Sequence, residues 1–394
     1  MRPFFRRVVL EHIPIAPLAI VVDTTLAGSA SNTFVLPVVI AVGDFARIFW
    51  GDGSSIIATN GNNTHVYTSN GIYTIKIQSQ VFGGILFING GDKAKVKSIL
   101  SFGGGVLRQM TDSFYGCTAL TYASNGYLKT ISTASSTQSM FRGCTSLTSV
   151  PLFNLSKVTN TLAMFRDCTS LTSVPLFDLS KVTNISYMFH NCTGLTSVPL
   201  FDLSKVTDAT SMFFNCTSLT TVPLLNLTSA INSSYMFYTC TSLTTVPLFN
   251  LANVTDTSVM FFGCTSLTTV PLLDLSKVTN ALEMFRGCTS LTTVPLFDLS
   301  KVANTGSMFR GCTNLTTIPL FDLSKVTSAS NMFFGVTLTT TSYSNFLINL
   351  ATLPLQSNVT FHGGSSKYNT AGATARAYLI SNFGWTITDG GAAP

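Results

Sequence analysis

The chain has 394 residues, of which 10% are charged and 46% apolar, and its net charge of +6 is not concentrated in any run of Lys or Arg. That balance argues against a nucleic-acid-binding surface, and no stretch of 18 uninterrupted apolar residues offers a membrane-spanning helix. The length allows two or three domains, and with charge so scarce the surface falls largely to Ser, Thr and Asn.

Residues 1–22 (MRPFFRRVVLEHIPIAPLAIVV) start basic and continue apolar, as a secretion signal does. Glu11, His12, Pro14 and Pro17 interrupt the apolar core, and no clean cleavage site follows. The segment is poor in helix formers and reads as an extended N-terminal docking arm. Residues 23–100 contain strand-like runs at Phe34–Val39, Arg47–Ser54, His65–Tyr67 and Gly71–Ile77, which predict a small β-sandwich. Gly51 and Gly53 permit a tight turn, Asp52 can accept bonds from nearby amides, and Trp50 and Tyr73 are expected to anchor the core. A calcium site at Asp52 is the sharper alternative, but the alternating acidic ligands of a calcium loop are missing. The order W-G-D-G-S, H-x-Y, G-x-Y-T-I-x-I resembles polycystic-kidney-disease-type domains, an immunoglobulin-like class; the resemblance implies an extracellular spacer.

Residues 101–336 are organised by repetition. Eight tandem copies of a 24-residue unit begin at Met140, Met164, Met188, Met212, Met236, Met260, Met284 and Met308. A ninth opens at Met332 and dissolves, and an earlier one shows Phe114, Cys117 and Leu120 matching Phe141, Cys144 and Leu147. Each copy keeps apolar positions such as Met164, Phe165, Cys168, Leu171, Val174, Leu176, Leu179 and Val182. No unit of this size buries such a set alone, so the units must stack as a solenoid. The extended LTSVPLF part reads as the parallel strand, and the SYMFHNCTG part as a short helix or 3₁₀ turn. With coils about 4.8 Å apart, ten of them would form a rod on the order of 45–50 Å long.

The pattern F-x-x-C-T-S-L-T-x-V-P followed by D-L-S-K-V-T-N-x-x-x-M-F resembles the BspA-type leucine-rich repeat family. The resemblance implies a binding or adhesive surface, on bacterial cells or in phage-encoded structural proteins, and supplies no catalytic centre. Residues 337–394 leave the repeat. Apolar spacing predicts helices over Tyr343–Leu353 and Ala371–Phe383, with a strand and turn from Val359 and a last strand over Gly384–Thr388. This α+β module, similar to the end module seen after such repeats, would cap the last apolar face, with His362 in a structural turn contact. The fold class is therefore mainly β with short helices: a leucine-rich-repeat solenoid of 24-residue coils, preceded by a β-sandwich and closed by an α+β cap.

All nine cysteines (Cys117, Cys144, Cys168, Cys192, Cys216, Cys240, Cys264, Cys288 and Cys312) occupy one repeat position. An odd-numbered column of equivalent residues reads as a buried ladder rather than a disulfide framework. No CxxC spacing and no adjacent His column suggests a metal.

Three further columns bear on function. Asp178, Asp202, Asp274, Asp298 and Asp322, each followed three residues later by Lys, are expected to form opposed charge ladders that neutralise each other. Stacked carboxylates also suggest a glycosidase groove, but ladder members share one environment where a working pair needs two. The second column follows each Met-Phe: Arg142, Arg166, His190, Phe214, Tyr238, Phe262, Arg286, Arg310 and Phe334. Here the repeat stops repeating, and the residue types are those of binding hot spots, whose aromatic faces stack on sugars or flat partners. Lateral packing against another chain and unconstrained exposure are the other two readings. The third column is the Ser/Thr edge, such as Thr172 and Ser173, where hydroxyls can bond neighbouring coils.

Taken together, the sequence predicts a non-enzymatic surface protein with no cofactor and no metal. A phage virion fibre, spike or decoration protein for host attachment leads; a bacterial cell-surface adhesin and a polysaccharide-degrading tailspike are the alternatives. The expected partners are other virion proteins through the arm and a host surface glycan or protein, with homo-oligomerisation left open.

Overall fold

The structure, a computed structural model, describes residues 16–40, 43–79, 81–88, 90–103, 106–107, 110–124 and 135–394. Most of the expected docking arm, up to residue 15, lies outside the described residues. The N-terminal part holds β1 (Leu18–Asp23), β2 (Thr33–Val39), β3 (Arg47–Phe49), β4 (Ser55–Ile57), β5 (Gly61–Val66), β6 (Ile72–Gln78), β7 (Val81–Phe82), β8 (Gly84–Ile85), β9 (Val96–Phe102), β10 (Val106–Leu107) and β11 (Tyr122–Ala123). One sheet has the order β11-β9-β1-β6-β3-β4 and a second the order β5-β2-β8; β7 and β10 pair separately.

β1 corrects the expected arm boundary. Its sequence LAIVVD is apolar on both faces, Ile20 and Val22 are fully buried, and both of its edges are paired antiparallel, to β6 and β9. A strand with both edges satisfied and both faces apolar belongs inside a sheet. The tyrosine anchor is also corrected. Tyr67, not Tyr73, is the buried one; its hydroxyl donates to the Trp50 carbonyl at 2.9 Å and its ring stacks 3.7 Å from half-buried Tyr73.

A buried ion pair closes this region. Lys95 Nζ donates to the carbonyls of Ser29, Ala30 and Thr33 at 3.2, 3.1 and 2.7 Å, and Asp92 accepts from the Ser29 and Val35 amides at 2.6 and 2.7 Å. Satisfied charges of this kind are tolerated inside because each has its own hydrogen bonds. β9 then pairs in parallel with β11, and Tyr122 of β11 bridges Ser149 in parallel, so the sheet runs on into the repeats.

The repeats stack in strict register. Parallel bridges link Asn160, Asn184, Asp208, Asn232, Asp256, Asn280, Asn304 and Ser328, each 24 residues from the next. Within one unit the amides of Thr161, Ala163, Phe165 and Asp167 donate to the carbonyls of Asn184, Ser186, Met188 and His190 at 2.7–3.0 Å. This is not the segment expected. The ladder runs through the turn-rich stretch before and after Met-Phe, while LTSVPLF joins it only at its first threonine, where Thr172 donates to the Thr148 carbonyl at 3.2 Å. Proline supplies no N–H for a ladder. In five units the amide two residues past it also turns back onto the proline carbonyl, as Phe201 does to Pro199 at 2.9 Å.

Past the proline the phase of the side chains shifts, in the units with this bond and in those without it. A strict strand alternation would bury Leu176 and expose Phe177; the reverse is found, with Leu176 58% exposed and Phe177 buried. The same inversion holds from Leu152 to Leu320. The remaining apolar positions are buried as expected and merge into one continuous core from Leu18 to Ile387. Phenylalanines equivalent to Phe165 stack 5.4–5.8 Å apart from Phe141 to Phe333 with planes within 10°. Cysteines lie beside them, and each thiol after Cys117 donates to a phenylalanine carbonyl of the preceding unit, as Cys168 does to Phe141 at 3.0 Å.

The C-terminal module contains α1 (Thr340–Leu350), β12 (Thr360–His362), α2 (Thr370–Phe383) and β13 (Thr386–Thr388), with β12 and β13 parallel. Thr339 and Asn369 cap the two helix starts, and Gly384, left-handed at φ 67°, ends α2. Phe346 and Phe361 meet the last stacked phenylalanine, Phe333, edge-on at 6.0 Å and close the core.

The inverted phase makes a stability contrast. Phe177→Ala removes a fully buried stacked ring and is expected to cost about 3–5 kcal/mol; Leu176→Ala, at an exposed position, should stay within about 0.5 kcal/mol. Urea unfolding of the two variants checks this, and comparable losses would refute the assigned phase.

Candidate functional site

The variable column takes its shape from the backbone around it. In every unit the residue before Met has positive φ, as does the residue three after Met: Ala163 and Asp167, Tyr187 and Asn191, Val259 and Gly263. The later position holds Gly, Asn, Asp or, once, Thr239, residue types suited to the left-handed region except the last. The variable residue lies between these two turns. Its amide closes a tight turn, as Arg166 does onto Ala163 at 3.1 Å, and its side chain lies half-buried along the stack.

These side chains form one ladder. His190 and Phe214 stack 4.3 Å apart, Phe214 and Tyr238 4.3 Å, and Tyr238 and Phe262 4.7 Å, with planes within 13°. A guanidinium continues the stack at one end, where Arg286 lies over Phe262 at 5.1 Å, and one level on Arg310 lies over Phe334 at 4.9 Å. At the other end Arg142 lies over Tyr115 at 5.1 Å and Arg166 over Tyr187 at 5.5 Å. His362 of the cap meets Phe334 edge-on at 5.2 Å, and its Nδ1 accepts from the Gly364 amide at 3.0 Å, the turn contact expected of it.

The geometry corrects how this column could bind. Ring faces in the middle of the ladder are covered by the neighbouring rings, so the edges, not the faces, point outward. Ring edges carry the positive side of the aromatic quadrupole, and the arginines add formal charge of the same sign. Asp167, 3.8 and 3.4 Å from the Nε atoms of Arg142 and Arg166, and Glu283, 2.6 Å from Arg286, offset part of it. The Nε groups of Arg142 and Arg166 are buried without a hydrogen-bond partner. Burial, followed by the charge of Arg166, lowers the pKa of His190 to about 4, so it is a neutral member of the stack at pH 7.

Residues that sequence reasoning did not single out complete the face. Tyr187 and Tyr235 lean on His190 and Tyr238 at 5.5 and 6.0 Å from the position before Met. A side-chain ladder runs next to it: Asn191 donates to Asp167 at 2.8 Å, Asn215 to Asn191 at 3.0 Å and Thr239 to Asn215 at 3.1 Å. The signal for Asn191 and Asn215 was present as the restricted Gly, Asn or Asp choice after the variable residue.

The other columns do something simpler. Among the described residues no ion pair within 4 Å links the aspartate column to its lysines, and Lys205, Lys277 and Lys301 act on Asp202, Asp274 and Asp298 only through longer-range charge. Each aspartate instead holds its own turn, as Asp178 does by accepting from the Ser180 amide at 3.1 Å and hydroxyl at 2.6 Å. The Ser204 amide bond keeps the Asp202 carboxyl below its usual range, and the hydroxyls of Ser276 and Ser300 do the same for Asp274 and Asp298. Threonine hydroxyls bond the previous unit, as Thr172 does to Thr148 at 3.3 Å. Asp52 is engaged by Ser54 and by His65 Nε2 at 2.7 Å, and among the described residues no three His, Cys, Asp or Glu converge as for a metal. Burial pushes the Cys240 and Cys312 thiols up to about 12, which removes them from thiolate chemistry at neutral pH.

The chain belongs to the family described as Mycoplasma protein of unknown function, DUF285, which matches residues 135–247 and 231–346. No curated protein matches it. Among solved structures it is similar to a leucine-rich repeat protein from Bacteroides ovatus ATCC 8483, with 16% identity over 86% of this chain and 98% of that one, at a TM-score of 0.26. Among the described residues no helix is long and apolar enough to cross a membrane.

The His190 environment sets a pH signature. The unfolded histidine titrates near 6.5 and the folded one near 4. Between these values the unfolded chain binds the proton and the folded chain does not, so this contribution is complete above about 6.5 and lost as pH falls toward 4. His190→Phe should therefore show a smaller drop in Tm from pH 7 to pH 5 than the wild type. Equal drops in the two proteins would remove His190 from this role.

Proposed function

We propose that this chain is a non-enzymatic surface protein, a leucine-rich-repeat solenoid that attaches to an extended, carboxylate-bearing partner along the aromatic and arginine ladder. The observation that carries the reading is the unbroken run of rings from His190 to Phe262 with Arg286 over its last ring, flanked by further arginines in the same column. The variable position after each Met-Phe is filled by stacked rings, whose outward edges are weakly positive, and by guanidiniums at both ends. An extended acidic surface, such as a glycan or a protein of the host, matches a stripe of this sign and length. The aspartate column, with every member in the same turn, offers no unequal pair for acid–base hydrolysis, which supports attachment over a polysaccharide-degrading role.

Attachment predicts selectivity that can be measured. Full-length protein immobilised on a sensor should bind a polyuronate more tightly than a neutral glucan, with affinity falling as salt rises. Arg286→Ala with Arg310→Ala, and separately Phe214→Ala with Tyr238→Ala, should weaken this binding about tenfold or more while leaving the circular dichroism spectrum unchanged. Binding that is indifferent to these four residues, or equal on the neutral glucan, would overturn the proposal.

The setting follows the relatives. The family is described from Mycoplasma, a cellular bacterium, which favours a cell-surface location over a phage particle, while the resemblance of the repeat to BspA-type proteins is compatible with either. The β-rich N-terminal region, with its resemblance to polycystic-kidney-disease-type domains, would serve as a spacer there. Fractionation of the producing culture should find the chain with the cell envelope; co-sedimentation with phage particles would reverse this assignment.

A further inference from the structure

We propose that two copies of this chain pair through a second surface, the column of outward leucines running from Leu152 to Leu320. Eight leucines recur there at 24-residue spacing without a break, each 49–65% exposed. Together they present apolar surface on the order of 800 Å², about one partner's share of a standard protein–protein interface. Soluble chains rarely leave so long an apolar stripe uncovered.

The exposure is built into the backbone. Where Phe201, Phe249, Leu273, Phe297 and Phe321 donate to the proline two residues earlier, at 2.8–3.1 Å, the intervening leucine stands at the apex of a tight turn. The residues two before and one after it, such as Val198 and Phe201 around Leu200, are buried, so the turn cannot rotate it inward without expelling a core residue. Beside the stripe, threonine amides and hydroxyls bond the preceding unit at each level from Thr172 to Thr292, which holds the column in register. The result is a firm row of isobutyl groups rather than a flexible loop.

The spacing identifies the occupant. Successive leucines are separated by the interval of the stack, which the rings that directly follow them in sequence (Phe153, Phe177 and Phe201, and Phe297 and Phe321) mark at 5.9–6.3 Å. A partner can engage all eight only if its own apolar groups recur at that interval, and a second copy does so by construction. Pairing of one patch with itself across a two-fold axis is the usual form of a homodimer interface. The rim fits as well: hydroxyl positions such as Thr172 and Ser173 precede the stripe, and aspartates already held by their own turns follow it. The centre is thus apolar and uncharged and the edges polar, the anatomy of a protein interface.

Sedimentation equilibrium of the full chain at micromolar concentration tests this. The wild type should be a dimer, and Leu224→Asp with Leu248→Asp, at the middle of the stripe, should raise the dissociation constant about a hundredfold or more with unchanged circular dichroism and Tm. The uncharged triple variant Leu200→Ser, Leu224→Ser, Leu248→Ser should also dissociate the dimer. Phe214→Ala with Tyr238→Ala should leave it intact, which separates this interface from the attachment ladder. A monomeric wild type, a dimer insensitive to the leucine changes, or flotation of the wild type but not the variants with phosphatidylcholine vesicles would each overturn the proposal.

Discussion

The structure depends on one constraint: each unit must place four alternate amides opposite the carbonyls of the next unit, 23 residues on in sequence. The bonds from Thr161, Ala163, Phe165 and Asp167 are an instance of this. Buried backbone groups have no other partner, so a unit cannot slip against its neighbour without losing the whole set. Once that register holds, every position becomes a column. Phenylalanine stacks on phenylalanine, thiol meets carbonyl, and threonine hydroxyl meets the level before it.

The same constraint imposes strain and then uses it. Running a parallel ladder through a turn-rich segment requires two left-handed residues in each unit, and outside glycine these are costly for L-residues. The position after the variable residue accepts that cost with Gly, Asn or Asp in all but one unit. The position before Met tolerates Val259 and Tyr187 because bonds on both sides hold it in place. Between these two pinned points the variable side chain carries no backbone duty. It can change from Arg to His to Phe without disturbing the stack, and it is where the repeat has diversified into a ladder of rings and guanidiniums.

Two surfaces of different chemistry therefore arise from one period. The ladder is aromatic and positive and differs from level to level; the leucine column is apolar, neutral and the same at every level. Diversity suits recognition of a foreign partner, whereas uniformity suits a partner built on the same interval.

Much of this was legible in the residues. The period of 24, the apolar composition of each unit, the single cysteine position, and the odd column after Met-Phe all follow from counting, because stacking makes equivalent residues share one environment. The helices of the cap were legible for a local reason as well, with Asn369 before α2 and Gly384 after it. Other features were decided only in three dimensions. Leu18–Asp23 looks like the tail of an arm until β6 and β9 supply partners for both of its edges. Leu176 and Phe177 are both apolar, and only the backbone path past Pro175 determines which of them meets water. Phe214 and Tyr238 promise open ring faces until the register sets them against each other and leaves only their edges outside. Sequence determines which chemical groups recur and how often; their direction is set by hydrogen bonds to residues a full unit away, which no local pattern contains.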